Sequence, residues 1–344
     1  MHASDDCAAE KGARLQKIYL VLSYLYLLPW FARHCVRCEL PLRPFLDVNP
    51  ELPLGGLPIA SKLSRYGSDP PYLPSLTVDA TTPRSSIADF AATHSFPLVV
   101  KPLFGAHSRD IRKVSALDDI VEAASDEAMI VQPYVDAPKE YGINIGRVGP
   151  RVKIYGLTEV TLRSVWGNGK QCLSALAAQK YGPEAAEGLE HGDWVPPEGR
   201  RVPLQVAADA GRGSSFHDVT DQVTPTLRAA CQSAADEIGL RFGRFDVRAD
   251  SLEALQDGNF FILEVNGSPS MDLTLYDEQY GLNGTIERLR AHWSQFFHQA
   301  QPRQSPAPNT WRLLSTLLWF VLAPRECAAS FRHEVDDGEL TPGA

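Results

Sequence analysis

Hydrophobic and polar positions alternate most clearly in one part of the chain. It reads Gly243-Arg244-Phe245-Asp246-Val247-Arg248, then Phe260-Phe261-Ile262-Leu263-Glu264-Val265-Asn266-Gly267-Ser268-Pro269-Ser270. Successive side chains of a strand point to opposite faces, so Phe245 and Val247 face a core while Arg244, Asp246 and Arg248 face away from it. The same period gives Leu263 and Val265 the core face of a second strand, and Glu264 and Asn266 the polar face. The eleven residues between Arg248 and Phe260 contain the turn pair Asp257-Gly258, so an antiparallel hairpin is predicted. It would gather Asp246, Glu264 and Asn266 beside Arg244. Three oxygen donors of this kind suit Mg²⁺, which takes carboxylates together with substrate phosphates and water. An ordinary hairpin with a charged outer face is the plain alternative.

Elsewhere the pattern alternates between short strands and short helices. Phe96 to Pro102 is a buried strand ending in Lys101, and a lysine there is costly unless it meets an anion. The polar loop Leu103 to Ile111, with Gly105 and Ser108, could cradle phosphate through backbone amides, and Arg112 to Val114 returns from it. A helix is predicted from the cap Ser85-Ser86 onward and another over Asp118 to Ala128. Met129 to Val135 is a strand that leaves its sheet at Pro133, freeing backbone groups near Gln132 to Val135 for a ligand edge. Glu140 precedes the strand Tyr141 to Val148, and Val152 to Leu162 is a further strand. Cys172 to Tyr181 reads as helix, and Gly211 to Asp218 as a second polar loop in which Arg212 is a natural anion partner. Pro225 to Ile238 is an amphipathic helix with proline in its first turn and Gly239 after it. Ile286 to Phe297 is the last helix of the body.

Two apolar runs flank this body, Ile18 to Phe31 and Trp311 to Ala323. Each is short for a membrane span, which needs ~20 residues. The acidic start and the lack of a small-residue cleavage site argue against a signal peptide. Two readings stand: helices packed on the body or on each other, or interfacial segments giving peripheral membrane contact. Pro41 to Pro83 is too rich in proline and glycine for a complete domain; within it, Ile59 to Tyr66 reads as a short helix carrying Lys62. The divisions predicted are an apolar N-terminal segment (1–44), a Pro/Gly-rich reduced subdomain (45–83), a central α+β subdomain (84–137), a C-terminal α+β subdomain with the metal site (138–300), and a linker with an apolar tail (301–344).

A net charge of -9 and a pI near 5.5 argue against nucleic acid as principal partner, which needs a basic surface. The six scattered cysteines include one close pair, Cys35 and Cys38, with no second pair to complete a zinc site. Free thiols in the cytoplasm, with the inner face of the membrane as the site of any contact, are the expectation.

Taken in order, Lys101 with Pro102 and the small loop, Val131 to Val135 with Glu140, Gly243 to Arg248, and Leu263 to Ser270 resemble the ATP-grasp superfamily over residues 45–300, with D-alanine:D-alanine ligase as the characterised likeness. Asp47-Val48-Asn49-Pro50, Leu54-Gly55-Gly56, Ser61-Lys62, Glu264 to Gly267 and Leu275-Tyr276-Asp277 also resemble uncharacterised bacterial proteins described as carboxylate-amine ligases. The resemblance implies an α+β fold of two subdomains clasping ATP. It implies small-molecule carboxylate and amine substrates, joined through an acyl phosphate. On that pattern Lys101 and Lys62 would hold the ATP phosphates with Gly105 and Ser108. Gln132 would read the adenine amino group, Tyr134 and Val135 would offer hinge backbone, and Glu140 would bind the ribose. Asp246, Glu264 and Asn266 would hold Mg²⁺, or Mn²⁺ in its place. Arg244, with Lys101 and Arg212, would neutralise charge on the transferring phosphoryl. The chain departs from the pattern in its glycine-poor loop, in Asp110 beside it, in Met271 where the bacterial group carries an acid, and in the reduced N-terminal domain. An ATP-binding module that is catalytically weak or inactive, attached to a membrane or an assembly, is the alternative.

Overall fold

The structure is a computed structural model describing residues 2–37, 43–57, 62, 66–104, 111–187, 189, 191–205, 214–268 and 270–300. It opens with a long helix, α1 (His2–Arg37), followed by the short α2 (Arg43–Asp47). Helix α1 runs through Pro29 rather than closing there. A proline inside a helix forfeits one backbone hydrogen bond, and packing of the flanking Trp30 and Phe31 against another helix, described below, offsets that loss.

The smaller sheet is wholly antiparallel. Its strands are β1 (Leu76–Val78), β2 (Leu98–Pro102), β3 (Arg112–Val114) and β4 (Met129–Pro133), in the order β1-β4-β2-β3. Two helices, α3 (Arg84–His94) and α4 (Leu117–Ala123), cover one face. Val78, Ile87, Leu98, Val100, Val114, Ile120 and Val131 form the core between them. Strand β1 comes from the proline-rich stretch, so this sheet begins before residue 84. Ser85 and Ser86 lie inside the first turn of α3 rather than capping it; Pro83 is the cap residue and offers no side-chain bond.

The larger sheet carries the site. Strands β5 (Lys139–Val148) and β6 (Arg151–Thr161) form a long hairpin. The short β7 (Ser164–Trp166), α5 (Leu173–Tyr181) and β8 (Arg201–Pro203) then make a small excursion with a core of its own. Strand β9 (Ser215–Asp218), helix α6 (Pro225–Glu237), β10 (Phe242–Ala249), α7 (Leu252–Gln256), β11 (Phe261–Asn266) and α8 (Leu282–Gln299) complete the body. The order is β11-β10-β5-β6-β9, antiparallel throughout. The second polar loop therefore ends in a strand, β9, paired with β6. Helix α6 starts as the sequence implies: Pro225 is its first residue and the Thr224 hydroxyl accepts from the Leu227 amide, satisfying one of the free donors of the first turn.

Alternation along β10 divides the two faces. Phe245, Val247 and Ala249 join Ile143, Ile145, Leu157, Leu227 and Cys231 in the main core. Phe242, on the opposite face, packs with Leu289, Trp293 and Phe296 of α8 and with Leu27 of α1. The helices close that second face at one end only. Beyond Phe242 the same face presents Arg244, Asp246 and Arg248.

Among the described residues no helix is long and apolar enough to cross a membrane. Gly105, Ser108, Arg212 and the run Trp311 to Ala323 lie outside the described residues, as does most of the short helix expected over 59–66.

Candidate active site

The predicted hairpin is present, with a helix in its connection and an irregularity the alternation does not reveal. Arg244 pairs with Asn266 and Asp246 with Glu264, then the register shifts so that Val247 faces Ile262. Leu263 is the extra residue of a β-bulge, which bends a strand and leaves one residue out of the ladder. Ile262 and Val265, not Leu263, enter the core. The Leu263 carbonyl instead accepts from Lys101 Nζ at 2.8 Å and from the Tyr66 hydroxyl at 3.0 Å. Lys101 also donates to the Tyr66 oxygen at 2.9 Å. The buried lysine at the end of the small sheet thus meets two neutral oxygens, the Leu263 carbonyl of the large sheet and the Tyr66 hydroxyl of the proline-rich segment.

On the open face Arg244 grips Asp246 with two bonds, Nε to Oδ1 at 2.5 Å and Nη2 to Oδ2 at 2.9 Å. Its third contact is the Met271 carbonyl, 2.9 Å from Nη1. Burial opposes the guanidinium charge, but the Asp246 carboxylate outweighs it and holds the group above its ordinary value. Asn266 Nδ2 donates to Asp246 Oδ2 at 2.7 Å. Glu264 lies 3.6 Å from the buried Lys62 ammonium. Gly142 of β5 is the direct ladder partner of Asp246. A Cβ there would come within 2.7 Å of the Leu273 side chain, so the glycine makes room for Leu273 against this part of the face.

Arg248 belongs to the same row and reaches the link between the sheets. It donates to the Val135 carbonyl at 3.0 Å and pairs with Glu140 at 3.3 Å, both side chains being buried. Arg248 and Lys113 both lie over the Tyr134 ring. The Tyr134 amide donates to Pro97 O at 3.2 Å. The Tyr134 amide and the Val135 carbonyl each have a partner within the protein, because the chain beyond Pro133 stays close to β2 and β10, and the carbonyl keeps a second lone pair. Gln132 is buried, and its Nε2 donates to the Ser75 hydroxyl at 2.8 Å.

The turn after β11 is braced from the proline-rich segment. Buried Asn49 accepts from the amides of Arg241 and Phe242 at 2.9 Å and donates to the carbonyls of Phe242 at 2.8 Å and Gly55 at 3.1 Å. Ser268 N donates to Gly55 O at 3.1 Å, and a Cβ on Gly267 would stand 2.8 Å from Gly56 Cα. Two bare backbones meet there. The hydroxyls of Ser268 and Ser270 are buried and have no partner among the described residues, which suits groups waiting for a polar ligand. Nearby, burial pushes the Asp272 carboxyl up to about 6, and burial, then Arg244, pushes His292 down to about 3.

Among the described residues no three His, Cys, Asp or Glu side chains cluster as a closed metal site. The donor set here is Asp246, Glu264 and the Asn266 carboxamide, all oxygen, with the remaining positions left to ligand and water. This fits Mg²⁺, which rarely uses an all-protein cage. An ionised carboxylate has about four lone-pair sites, so Asp246 can accept from Arg244 and still bind a cation.

No family model matches the chain. The cyanophycin synthetases of Trichormus variabilis and of a Nostoc species are each 26% identical over 212 residues, covering 54% of this chain and 23% of theirs. The match takes in under a quarter of the length of these curated relatives. Among solved structures, D-alanine--D-alanine ligase from Bacillus anthracis has a TM-score of 0.40 at 12% identity, covering 71% of this chain and 66% of that one. VanG D-Ala:D-Ser ligase from Enterococcus faecalis has a TM-score of 0.38 at 16% identity, covering 74% and 64%. The ATP-grasp ligase PsnB with a minimal precursor has a TM-score of 0.36 at 15% identity, covering 65% and 55%. All three solved structures are of ligases, and PsnB is described as an ATP-grasp ligase.

Arg248, Tyr66, Asn49 and the Leu263 carbonyl were not singled out as site groups by the sequence. For Arg248 a signal existed, since it shares the strand face of Arg244 and Asp246. For the others no local pattern distinguishes the residue, because each acts on a segment far away in the chain.

Proposed function

We propose that this chain is an ATP- and Mg²⁺-dependent carboxylate-amine ligase of the ATP-grasp type, acting through an acyl phosphate. The carrying observation is the convergence of two buried lysines from outside the large sheet on β11: Lys62 at the Glu264 carboxylate and Lys101 at the Leu263 carbonyl. Beside them, Asp246 of β10 is already bonded to Arg244 on its own strand and to Asn266 on β11.

In the proposed reaction a carboxylate oxygen attacks the γ-phosphorus of ATP and ADP leaves. The amine nitrogen then attacks the acyl carbon, phosphate leaves, and the nitrogen loses a proton. Asp246, Glu264 and Asn266 would hold the cation, which when bound screens the phosphate charge. Lys101 and Lys62 would hold the phosphates, with Gly105 and Ser108 of the adjoining loop. Arg244, held rigid by Asp246 and the Met271 carbonyl, would face charge as it develops on the phosphoryl and the tetrahedral carbon, with Arg212 as a further cation. Glu140 would meet the ribose, Gln132 the adenine edge, and Tyr134 and Val135 the base from the link. The Ser268 and Ser270 hydroxyls are suited to substrate.

The test is ADP release from the full chain with Mg²⁺, across panels of carboxylates and amines. Release that requires both supports ligation; a stable phosphorylated product with no amine requirement points to a kinase instead. A second reading is a nucleotide-binding module without turnover. One observation favours it: both Asp246 oxygens already accept protein donors. Nucleotide affinity without hydrolysis, unchanged in Arg244→Met, is its signature.

A further inference from the structure

Arg244 is held on one side by Asp246 and on the other by the Met271 carbonyl, 2.9 Å from Nη1. Met271 follows β11 in a segment whose regular part is a turn of 3₁₀ helix, Leu273–Tyr276. Hydrogen-bond geometry in such a turn is poor, so contacts from other elements must set where the Met271 carbonyl points.

Helix α1 supplies two of them. Gln16, Leu20, Tyr24 and Leu27 recur at the spacing of one helical face, and Leu20 and Tyr24 join Leu27 in the cluster that holds Leu289, Trp293 and Phe296 of α8. Gln16 is only 3% exposed, and a buried amide on an apolar face is costly unless its hydrogens are donated. Gln16 Nε2 donates to the Leu275 carbonyl at 2.8 Å and to the Thr285 hydroxyl at 3.0 Å. The first acceptor lies in the 3₁₀ turn and the second in the first turn of α8. About two turns further along α1, the Tyr24 hydroxyl donates to Met271 Sδ at 3.2 Å and accepts from Trp293 Nε1 at 3.4 Å. Trp30 and Phe31 then meet Phe297 and Trp293 edge to face. The two helices run side by side, and the Met271–Leu275 segment is tied to them at both its ends.

We propose that Gln16 and Tyr24 are positioning residues for Arg244. Gln16 fixes the segment at Leu275, Tyr24 fixes the Met271 side chain, and the Met271 carbonyl in turn fixes guanidinium Nη1. Asn144 of β5 shares that carbonyl at 3.3 Å, a contact that lasts only while the segment stays down on the sheet. Sulfur is a weak acceptor, so Gln16 is the stronger of the two ties. That Arg244 serves a transition state rests on the ligase reading; that α1 sets its position does not.

Arginine-labelled full-length chain tests this by ¹⁵N NMR. In the wild type the Arg244 Nη1 hydrogens, identified by their loss in Arg244→Met, should exchange slowly with water. Gln16→Met keeps length and apolar fit but has no amide hydrogens, and should speed that exchange about tenfold. Tyr24→Phe should speed it about threefold. Arg248 is the control, since it bonds a carbonyl and a carboxylate from the same strand; its exchange and the circular dichroism should not change. Unchanged Arg244 exchange in either folded variant overturns the inference, and so does equal acceleration at Arg248, which would mark general loosening. ADP release judges the other reading separately. In Gln16→Met kcat should fall about tenfold with the nucleotide KM unchanged. Freed Arg244 hydrogens with full kcat would remove Arg244 from the chemistry and leave its positioning by α1 standing.

Discussion

The two sheets contribute to the candidate site in different ways. The large sheet supplies a floor whose groups come from neighbouring positions of adjacent strands: Arg244, Asp246, Glu264 and Asn266 meet because β10 and β11 pair in that register. The small sheet supplies Lys101, whose partners Tyr66 and Leu263 lie 35 and 162 residues away in the chain. The floor can form as soon as one strand pair forms. The contact from the small sheet exists only when both sheets are folded and docked, so it is the part that conformational change can adjust.

Four outcomes sharpen or break this contrast. Glu264→Gln keeps shape and removes a proposed cation ligand; ADP formation should fall by about 10³-fold or more. Retained turnover would remove the floor from the chemistry. Arg244→Met breaks a buried pair and strands Asp246, which should lower unfolding free energy by about 3 kcal/mol in urea titrations; a loss under 1 kcal/mol would show that the floor is not a mutually supporting unit.

Asp272 tests the floor through pH. Its folded value of about 6 exceeds an unfolded value near 3.9. Its contribution is fully present below the unfolded value and is lost as pH rises to about 6. Asp272→Asn should therefore remove a loss of roughly 2 kcal/mol between pH 4 and 6, read from urea midpoints. His292 acts in the opposite sense: depressed to about 3, it favours the fold above pH 6.5 and loses that contribution as pH falls toward 3.

The smallest effect is expected at the link between the sheets. Arg248→Lys shortens the reach to Glu140 and Val135, and should raise the nucleotide KM about tenfold with kcat little changed, the loss of one charge-assisted hydrogen bond. Equal falls in kcat and kcat/KM would instead place Arg248 among the groups that stabilise the transition state.

Much of the floor was legible because strand alternation is a local rule. Period two alone puts Phe245 and Val247 in the core and Arg244, Asp246 and Arg248 on the open face, and the structure agrees. The second strand shows the limit. The same period puts Leu263 in the core, but the bulge moves Ile262 there. One extra residue in a ladder leaves no mark on the hydrophobic pattern. Helix α6 was readable through its proline and Gly239. The end of α1 was not, since Pro29 lies within the helix and the packing of Trp30 and Phe31 decides the outcome.

What the sequence determined by itself was the set of short-range facts: which strands exist, which faces they bury, and which carboxylates share a row with an arginine. These follow from backbone geometry and side-chain period, which act over a few residues. Only the tertiary structure decided where Lys101 ends and that Asn49 and Gly55-Gly56 brace the Gly267 turn. It also decided that Arg248 occupies the Val135 carbonyl. Each is a buried polar group or bare backbone that must find a complement in space, and the complement available depends on how distant segments pack.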